Sequence, residues 1–338
     1  MTPPLIGAAA TRLQRGRISR RRLLALLALA GPVGSWERGA AAESRRPIRF
    51  VVPNATGGSS DLLARLFGGH LAEAWEQPVI FDLRPGAAGR IAADFVARAA
   101  PDGRTLLLAN NGTLALAPGA GGGADPGAAP LVPVTRLTTL SIVIAAAPSS
   151  GVRSLAALIE RARATPAGLA YASGGIGSTS HAAAALLARR AGIGLLQIPY
   201  PGTATAVKDV LSGEIPLLFT QLATVAPLLR SGQLRALAVT GASRATAFPN
   251  IRTVAESGFP GFDVTTWHGV LLPPGTRRDV VMHLHDELLR ILALPRVREQ
   301  LAAMGMEPVG NAPEQFAAEL QADRVRWAVV DGAGTAPD

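Results

Sequence analysis

From Pro47 onward the chain alternates short apolar segments with longer segments of helical periodicity, and this alternation constrains the fold more than any other feature. Ile48 to Val52 is typical of the apolar segments and has the length of a strand buried on both faces. Asp61 to Trp75 is typical of the helical segments, because its apolar residues recur three and four positions apart. Strands that alternate with helices build parallel sheets covered on both faces by helices. The sequence therefore predicts a doubly wound α/β fold.

The loops that lead from a strand into a helix are the candidate site, because ligands of parallel sheets bind beyond the carboxyl ends of the strands. Four such loops, which begin near Pro53, Asn110, Ser173 and Pro199, combine glycine with hydroxyl and amide side chains. Glycine lets the backbone approach a ligand closely, and free N–H groups at a helix start attract anions. Each loop alone is also explained as a turn with a helix cap, and His181 as a structural residue. Taken together, the loops predict ligand contacts at Asn54, Thr56, Gly57, Gly58, Ser59, Asp61, Asn111, Thr113, Ser173, Gly177, Ser178, Thr179, His181, Tyr200 and Thr203.

Several kinds of chemistry are excluded by what the sequence lacks. Without cysteine there is no disulfide, no thiolate catalysis and no cysteine-based zinc site. His283 and His285 are two residues apart, so a helix places them on different sides and a zinc site there is disfavoured. No Gly-x-Ser-x-Gly, His-Glu-x-x-His or P-loop motif occurs, and no dinucleotide fingerprint is complete. We predict no catalytic residue, no metal and no cofactor, with Arg84 as an alternative clamp for a carboxylate.

The net charge of +9 resembles that of a nucleic-acid-binding protein, but the charge is concentrated at the N-terminus. Residues 1–42 contain seven arginines and a single acid, Glu37, so they carry +6 of the total. The remainder has no basic run with interleaved aromatic residues. This distribution argues against a nucleic-acid partner.

Residues 1–42 have the organisation of a signal peptide. Three consecutive arginines, Arg20 to Arg22, precede a short apolar run, and Ala40-Ala41-Ala42 provides a cleavage site. The apolar run is shorter than the roughly 20 residues that span a bilayer, and no later segment qualifies, so the mature chain is predicted to have no transmembrane span. The arginines fit either a twin-arginine signal or an ordinary secretory leader. Both predict cleavage near Ala42 and a periplasmic location.

Motifs throughout the mature chain carry a family resemblance. They are Pro47 to Pro53 with Gly57-Gly58-Ser59-x-Asp61, Arg84-Pro85-Gly86-Ala87, Ala100 to Leu107, Asn111-Gly112-Thr113, Gly177-Ser178-Thr179-x-His181, Pro199-Tyr200-x-Gly202, Leu234 to Thr240 and Thr253 to Gly258. In this order the motifs resemble the substrate-binding proteins of tripartite tricarboxylate transporters, the Bug/TctC family.

The resemblance implies a type II periplasmic-binding-protein-like fold, with two doubly wound α/β lobes around a central ligand cleft. Residues 43–147 and 266–338 would form lobe one, and residues 148–265 lobe two. Strands around Leu140 to Ala147 and Trp267 to Leu272 would cross between the lobes. The resemblance also implies a monomer that holds a small carboxylated solute through backbone amides, hydroxyls and ordered water, with Gln221 as a further site residue. Such solutes are di- or tricarboxylates, acidic amino acids or aromatic acids.

Three functions follow from these observations. The first is capture of the solute for the membrane subunits of a tripartite tricarboxylate-type transporter. The second is a solute sensor that docks on the ectodomain of a membrane sensor kinase. The third is a hydrolase or isomerase that pairs His181 with Asp61 or Glu256, for which the spacing gives no support.

Three departures from the family pattern fall near the expected cleft. The family usually has an aromatic residue at the position of Asn54 and a tyrosine at the position of His268, and the loop at 119–127 is glycine-rich instead of containing tyrosine. An asparagine cannot stack on a ligand as an aromatic ring does, but it can hydrogen-bond one. The identity of the solute therefore does not follow from the resemblance.

Overall fold

The structure is a computed structural model that describes residues 46–114, 130–200 and 203–331. The predicted signal peptide and the glycine-rich loop at 119–127 lie outside the described residues. The fold is contained in the unit that begins at Pro47.

Ten strands and ten helices are found in the described residues. The strands are β1 (Ile48–Val52), β2 (Val79–Leu83), β3 (Thr105–Asn110), β4 (Val132–Ala146), β5 (Leu169–Ser173), β6 (Leu195–Pro199), β7 (Leu217–Gln221), β8 (Arg235–Val239), β9 (Thr265–Leu272) and β10 (Glu307–Pro308). The helices are α1 (Ser59–Trp75), α2 (Arg90–Ala97), α3 (Asn111–Leu114), α4 (Leu155–Arg163), α5 (Thr179–Ala191), α6 (Thr203–Ser212), α7 (Leu222–Arg230), α8 (Arg278–Ala293), α9 (Pro295–Met304) and α10 (Pro313–Asp331). The alternation of strands and helices predicted from the sequence is confirmed.

The strands form one curled sheet in the order β2-β1-β3-β9-β4-β7-β5-β6, with β8 and β10 also paired to β4. Strand β1 is parallel to β2 and β3, and β5 is parallel to β6 and β7. Residues Val132–Ser141 of β4 pair with β9, whereas Ile142–Ala146 pair with β7 and β8. Strand β4 therefore belongs to both a first half-sheet (β1–β3, β9, β10) and a second half-sheet (β5–β8).

Each half-sheet is covered on both faces. In the first half-sheet, Phe50 and Phe67 are fully buried on one face, and Trp267 and Phe316 meet edge to face on the other with ring centroids 5.2 Å apart. In the second, Tyr171 packs against Phe219 on one face, and aliphatic residues fill the other. Because few aromatic residues are available, most of both cores consists of leucine, valine and alanine. No helix among the described residues has both the length and the apolar character needed to cross a membrane.

The shared strand β4 sets the position of the candidate site. The carboxyl ends of β1 and β3 in the first half-sheet lie near those of β5, β6 and β7 in the second, because both groups flank β4 and β9. The loops that leave these ends line a common cleft. This is the location that the rule for parallel sheets predicts.

Candidate functional site

A cleft of about 280 Å³ lies between the two half-sheets. Its lining residues are Pro53, Asn54, Pro85, Gly86, Ala87, Gly89, Asn110 and Gly112 from the first half-sheet, and Gly174, Gly175, Ile176, Ser178, Thr179, Ser180, Tyr200 and Gln221 from the second. None of these lining residues carries a charged side chain. A charged ligand in this cleft would meet amide, hydroxyl and backbone groups, with no opposite formal charge among them.

The first wall is built by the turn from Pro85 to Gly89, which precedes α2. A Cβ atom on Gly89 would lie 2.6 Å from Thr113 Oγ1 and 3.0 Å from Pro53 Cβ, and the residue has a φ of +94°. Only glycine fits this combination of close packing and left-handed backbone. Ala87 also has a positive φ, of 47°, which is uncommon for a residue with a side chain. The wall is therefore a tightly packed backbone surface.

Asn54 lies beside this turn and is held by its neighbours. Its Oδ1 accepts hydrogen bonds from Ser60 Oγ at 2.8 Å and from Asn110 Nδ2 at 3.3 Å. Asn110 is oriented in turn by Thr113, whose backbone N–H donates to Asn110 Oδ1 at 3.0 Å. The amide side chain of Asn54 thus has a fixed position in the wall of the cleft.

The second wall is the glycine-rich loop that leads into α5. Ser178 caps this helix: its Oγ accepts from the backbone N–H of His181 at 3.2 Å and donates to the carbonyl oxygen of Gly175 at 2.7 Å. Ser180 Oγ accepts from the N–H of Gly174 at 3.0 Å and lies 3.0 Å from Ser178 Oγ. The hydroxyl groups of Ser178 and Ser180 are thus engaged in hydrogen bonds within the loop and the start of the helix. The backbone N–H groups of Thr179 and Ser180, which begin α5, remain as donors for a ligand.

Tyr200 lines the same wall, and its hydroxyl donates a hydrogen bond to Asp209. This bond, with smaller effects of desolvation and of the nearby acids, raises the pKa of Tyr200 to about 12. The phenol therefore keeps its proton at neutral pH and directs it away from a ligand. Tyr200 contributes a surface and an acceptor oxygen to the cleft, and no anion.

The base of the cleft is crossed by a chain of hydrogen bonds. Ser59 Oγ donates to Gln221 Oε1 and lies 3.1 Å from His268 Nε2, while His268 Nδ1 lies 3.3 Å from Thr138 Oγ1. His268 is fully buried, and desolvation lowers its pKa to about 3, so the ring is neutral. These hydrogen bonds link Gln221 of the second half-sheet to Ser59 of the first.

The residues predicted from the sequence fall into three groups. Asn54, Ser178, Thr179, Tyr200 and Gln221 line the cleft. Ser59, Asn111, Thr113, Ser173 and Gly177 are buried behind its walls. The remaining residues, Thr56, Gly57, Gly58, Asp61 and His181, lie beside the two helix starts, and Thr203 is the first residue of α6.

Several of these side chains are engaged in local structure. Asp61 Oδ2 accepts from the backbone N–H of Gly57 at 3.0 Å, and Asp61 Oδ1 forms an ion pair with Arg65. Ser173 Oγ accepts from Gln197 Nε2 at 2.7 Å. Glu256 pairs with Arg244 at 2.9 Å, and this pairing lowers the pKa of the Glu256 carboxyl. The two acids of the hydrolase hypothesis are therefore both bound to arginines.

The turn from Pro85 to Gly89 forms a wall of the cleft that was not predicted from the sequence. The sequence did contain a signal for it, because this glycine-rich turn follows a predicted strand, as the other loops of the site do. Arg84, considered as a carboxylate clamp, does not line the cleft. Its Nε donates to Asp82 at 3.0 Å, and its guanidinium carbon lies 3.6 Å from the centroid of the Phe95 ring.

Two α/β half-sheets that share strand β4, with a cleft between them whose described lining residues are uncharged, have the architecture of a solute-binding protein. A family model described as tripartite tricarboxylate transporter family receptor matches residues 63–331. The chain belongs to this family, also known as TctC or Bug, whose members are periplasmic solute-binding proteins.

The relatives and solved structures agree with this assignment. Protein BugT of Bordetella pertussis is 35% identical over 291 residues, which cover 84% of this chain and 88% of BugT. The structure of Rpa4515 from R. palustris with adipate has a TM-score of 0.79 at 32% identity, covering 84% of this chain and 96% of that one. MatC from Rhodopseudomonas palustris with bound malate has a TM-score of 0.77 at 31% identity, covering 84% and 98%.

Proposed function

We propose that this protein captures a small dicarboxylate in its cleft and delivers it to the membrane subunits of a tripartite tricarboxylate-type transporter. The observation that carries the proposal is the chemistry of the described cleft-lining residues, which offer helix-terminal and amide N–H donors and include no charged side chain. A helix N-terminus supplies the equivalent of about half a positive charge. A partial charge of this size suits a carboxylate that the protein must hold and then release.

One carboxylate would lie at the start of α5, against the backbone N–H groups of Thr179 and Ser180. The opposite end of the solute would meet Asn54 and the turn from Pro85 to Gly89. Ile176, whose side chain is 64% exposed at the cleft, would cover the methylene groups between the two ends.

The same wall disfavours the other solute classes. An acidic amino acid brings an ammonium group, and the lining residues that the structure describes include no carboxylate to pair with it. An aromatic acid would gain from stacking, but Tyr200 is the single aromatic residue among the described lining residues, and Asn54 stands where the family usually has an aromatic residue. The adipate and malate in two similar structures support the dicarboxylate class.

Export and closure complete the proposal. Residues 1–42 would direct the chain to the periplasm and be removed there. The mature monomer would close its two lobes, 43–147 with 266–338 and 148–265, around the solute. Closing motions of this kind are typical of periplasmic binding proteins.

Calorimetry with succinate, malate, adipate, citrate, glutamate and nicotinate tests the proposal. We expect one of the dicarboxylates to bind most tightly. In a Gly174→Ala variant the new methyl group, at ordinary contact distances from Ser178 and Ser180, would enter the cleft and weaken binding at least about tenfold. Gly69→Ala on α1, where nothing lies within 4 Å of the added carbon, is the matched control. Binding of citrate, glutamate or nicotinate in preference to succinate, malate and adipate would contradict the proposal.

A further inference from the structure

The orientation of the Asn54 side chain follows from a chain of bonds that starts at a backbone group. A backbone N–H can only donate, so the Asn110 atom that the N–H of Thr113 meets at 3.0 Å is an oxygen, Oδ1. The other end of the Asn110 amide is then its nitrogen, which donates to Asn54 at 3.3 Å. The Asn54 atom that accepts this bond must therefore be Oδ1. Ser60 Oγ donates to the same atom at 2.8 Å.

This series of hydrogen bonds leaves the nitrogen of the Asn54 amide as the group that faces outward. Among the described residues, Nδ2 of Asn54 has no hydrogen-bond partner, although both bonds to Oδ1 are made. Asn54 lines the cleft and is half-buried. An amide nitrogen donates and cannot accept, so a ligand atom that meets Nδ2 must be an acceptor.

We infer that Asn54 determines specificity by donating its side-chain N–H to an oxygen of the solute, with Asn110 as the residue that positions it. The inference rests on the proposed function. Asn54 belongs to the first half-sheet and the start of α5 to the second, so the two donors lie on opposite walls of the cleft. The solute must therefore present an oxygen acceptor at each end. A group that only donates, such as an ammonium, is excluded at the Asn54 end.

The test is an Asn54→Asp variant. Aspartate keeps the oxygen that accepts from Ser60 and Asn110, and it replaces the outward nitrogen with an oxygen. The variant would thus repel a carboxylate at that end and accept a bond from an amide. The probes are two pairs, succinate with its monoamide succinamate and adipate with its monoamide adipamate. The ratio of the two dissociation constants in each pair, measured by calorimetry, should shift at least about tenfold toward the monoamide.

Asn250→Asp is the matched control, because it adds the same charge at an exposed residue that does not line the cleft. It should leave both ratios unchanged, and thermal unfolding should show that both variants are folded. Ratios in Asn54→Asp equal to those of the wild type would overturn the inference and leave the proposed function standing. A wild-type protein that binds none of succinate, malate and adipate would overturn the proposed function, and the inference with it.

Discussion

Thr179 Oγ1 donates a hydrogen bond to Asn111 Oδ1 at 2.9 Å, and this bond joins the two walls of the cleft. Thr179 begins α5 on the second half-sheet, whereas Asn111 follows β3 on the first. Asn111 is itself anchored to β9, since its Oδ1 accepts from Thr266 at 2.5 Å and its Nδ2 donates to the carbonyl oxygen of Thr265 at 3.0 Å. The protein therefore forms its own bond across the cleft, in addition to any that a solute provides.

Removing this bond should favour the open form. Thr179→Val deletes the donor but leaves Asn111 Oδ1 bonded to Thr266, so no buried acceptor is left unpaired. Because one hydrogen bond contributes about 0.5–1.5 kcal/mol, we expect the dissociation constant of the solute to rise roughly two- to tenfold. Small-angle scattering should also show a larger radius of gyration without solute. Thr165→Val, on the surface of the second half-sheet, is the control, and an unchanged affinity in Thr179→Val would argue against a role in closure.

Arg84→Gln should scarcely affect solute binding. Arg84 contacts Asp82 and the Phe95 ring and does not line the cleft. The dissociation constant should stay within about twofold of wild type, while the free energy of unfolding falls by at most about 1 kcal/mol. Calorimetry and chemical denaturation measure the two quantities. Complete loss of binding in a folded Arg84→Gln protein would show that an arginine holds the carboxylate after all.

Stability should depend on pH through His268. Burial lowers the pKa of this histidine from 6.5 to about 3 in the folded protein. Between these values the unfolded chain binds a proton that the folded protein does not, so stability is complete above pH 6.5 and falls as the pH decreases toward 3. The slope from this group is about 1.4 kcal/mol per pH unit.

Urea unfolding from pH 4 to pH 7 measures this slope. His268→Gln should remove the contribution of one proton from it, while His283→Gln, at an exposed residue stacked on Trp75, controls for the loss of a histidine. If His268→Gln retained the full wild-type slope, the histidine would not be the group responsible.

Cleavage of the leader is expected after Ala42. Mass spectrometry of protein from the periplasmic fraction should give an N-terminus near Glu43. Ala42→Arg places a large charged residue at the cleavage site and should leave uncleaved protein attached to the membrane. Intact Met1 on soluble periplasmic protein would contradict the prediction.

The sequence predicted the parts of the fold that local patterns determine. The strand at Ile48 to Val52 matches β1, and the helices that follow the parallel strands appear where the periodicity places them. The strand expected from Leu140 to Ala147 begins eight residues earlier, at Val132. Pro133 and Arg136 interrupt the apolar pattern there. The region is nevertheless a strand because β9, from a distant part of the chain, pairs with it, and bulges at these positions accommodate the pairing. Such long-range pairing leaves no local signal.

The sequence indicated several loops that line the cleft, but it did not indicate which way their polar side chains point. The loops at the carboxyl ends of the strands do line the cleft, as Asn54, Tyr200 and Gln221 show, and ligand contact by these residues stays a prediction. A sequence does not tell whether a hydroxyl faces a ligand or caps its own helix, and Ser178 does the latter. The departure from the family at position 54 did indicate a hydrogen-bonding residue. Which end of its amide faces the cleft depends on Asn110, which is 56 positions away.

The shared strand β4 has a consequence for synthesis of the chain. The second half-sheet is complete once the ribosome has passed β8, because β4 to β8 are consecutive. The first half-sheet lacks its central strand until β9 emerges, since β9 separates β3 from β4. Residues 48–110 therefore keep an open sheet edge while residues 111–264 are made. A ribosome-bound nascent chain that ends before Thr265 should resist protease in its later portion and remain sensitive in its earlier one.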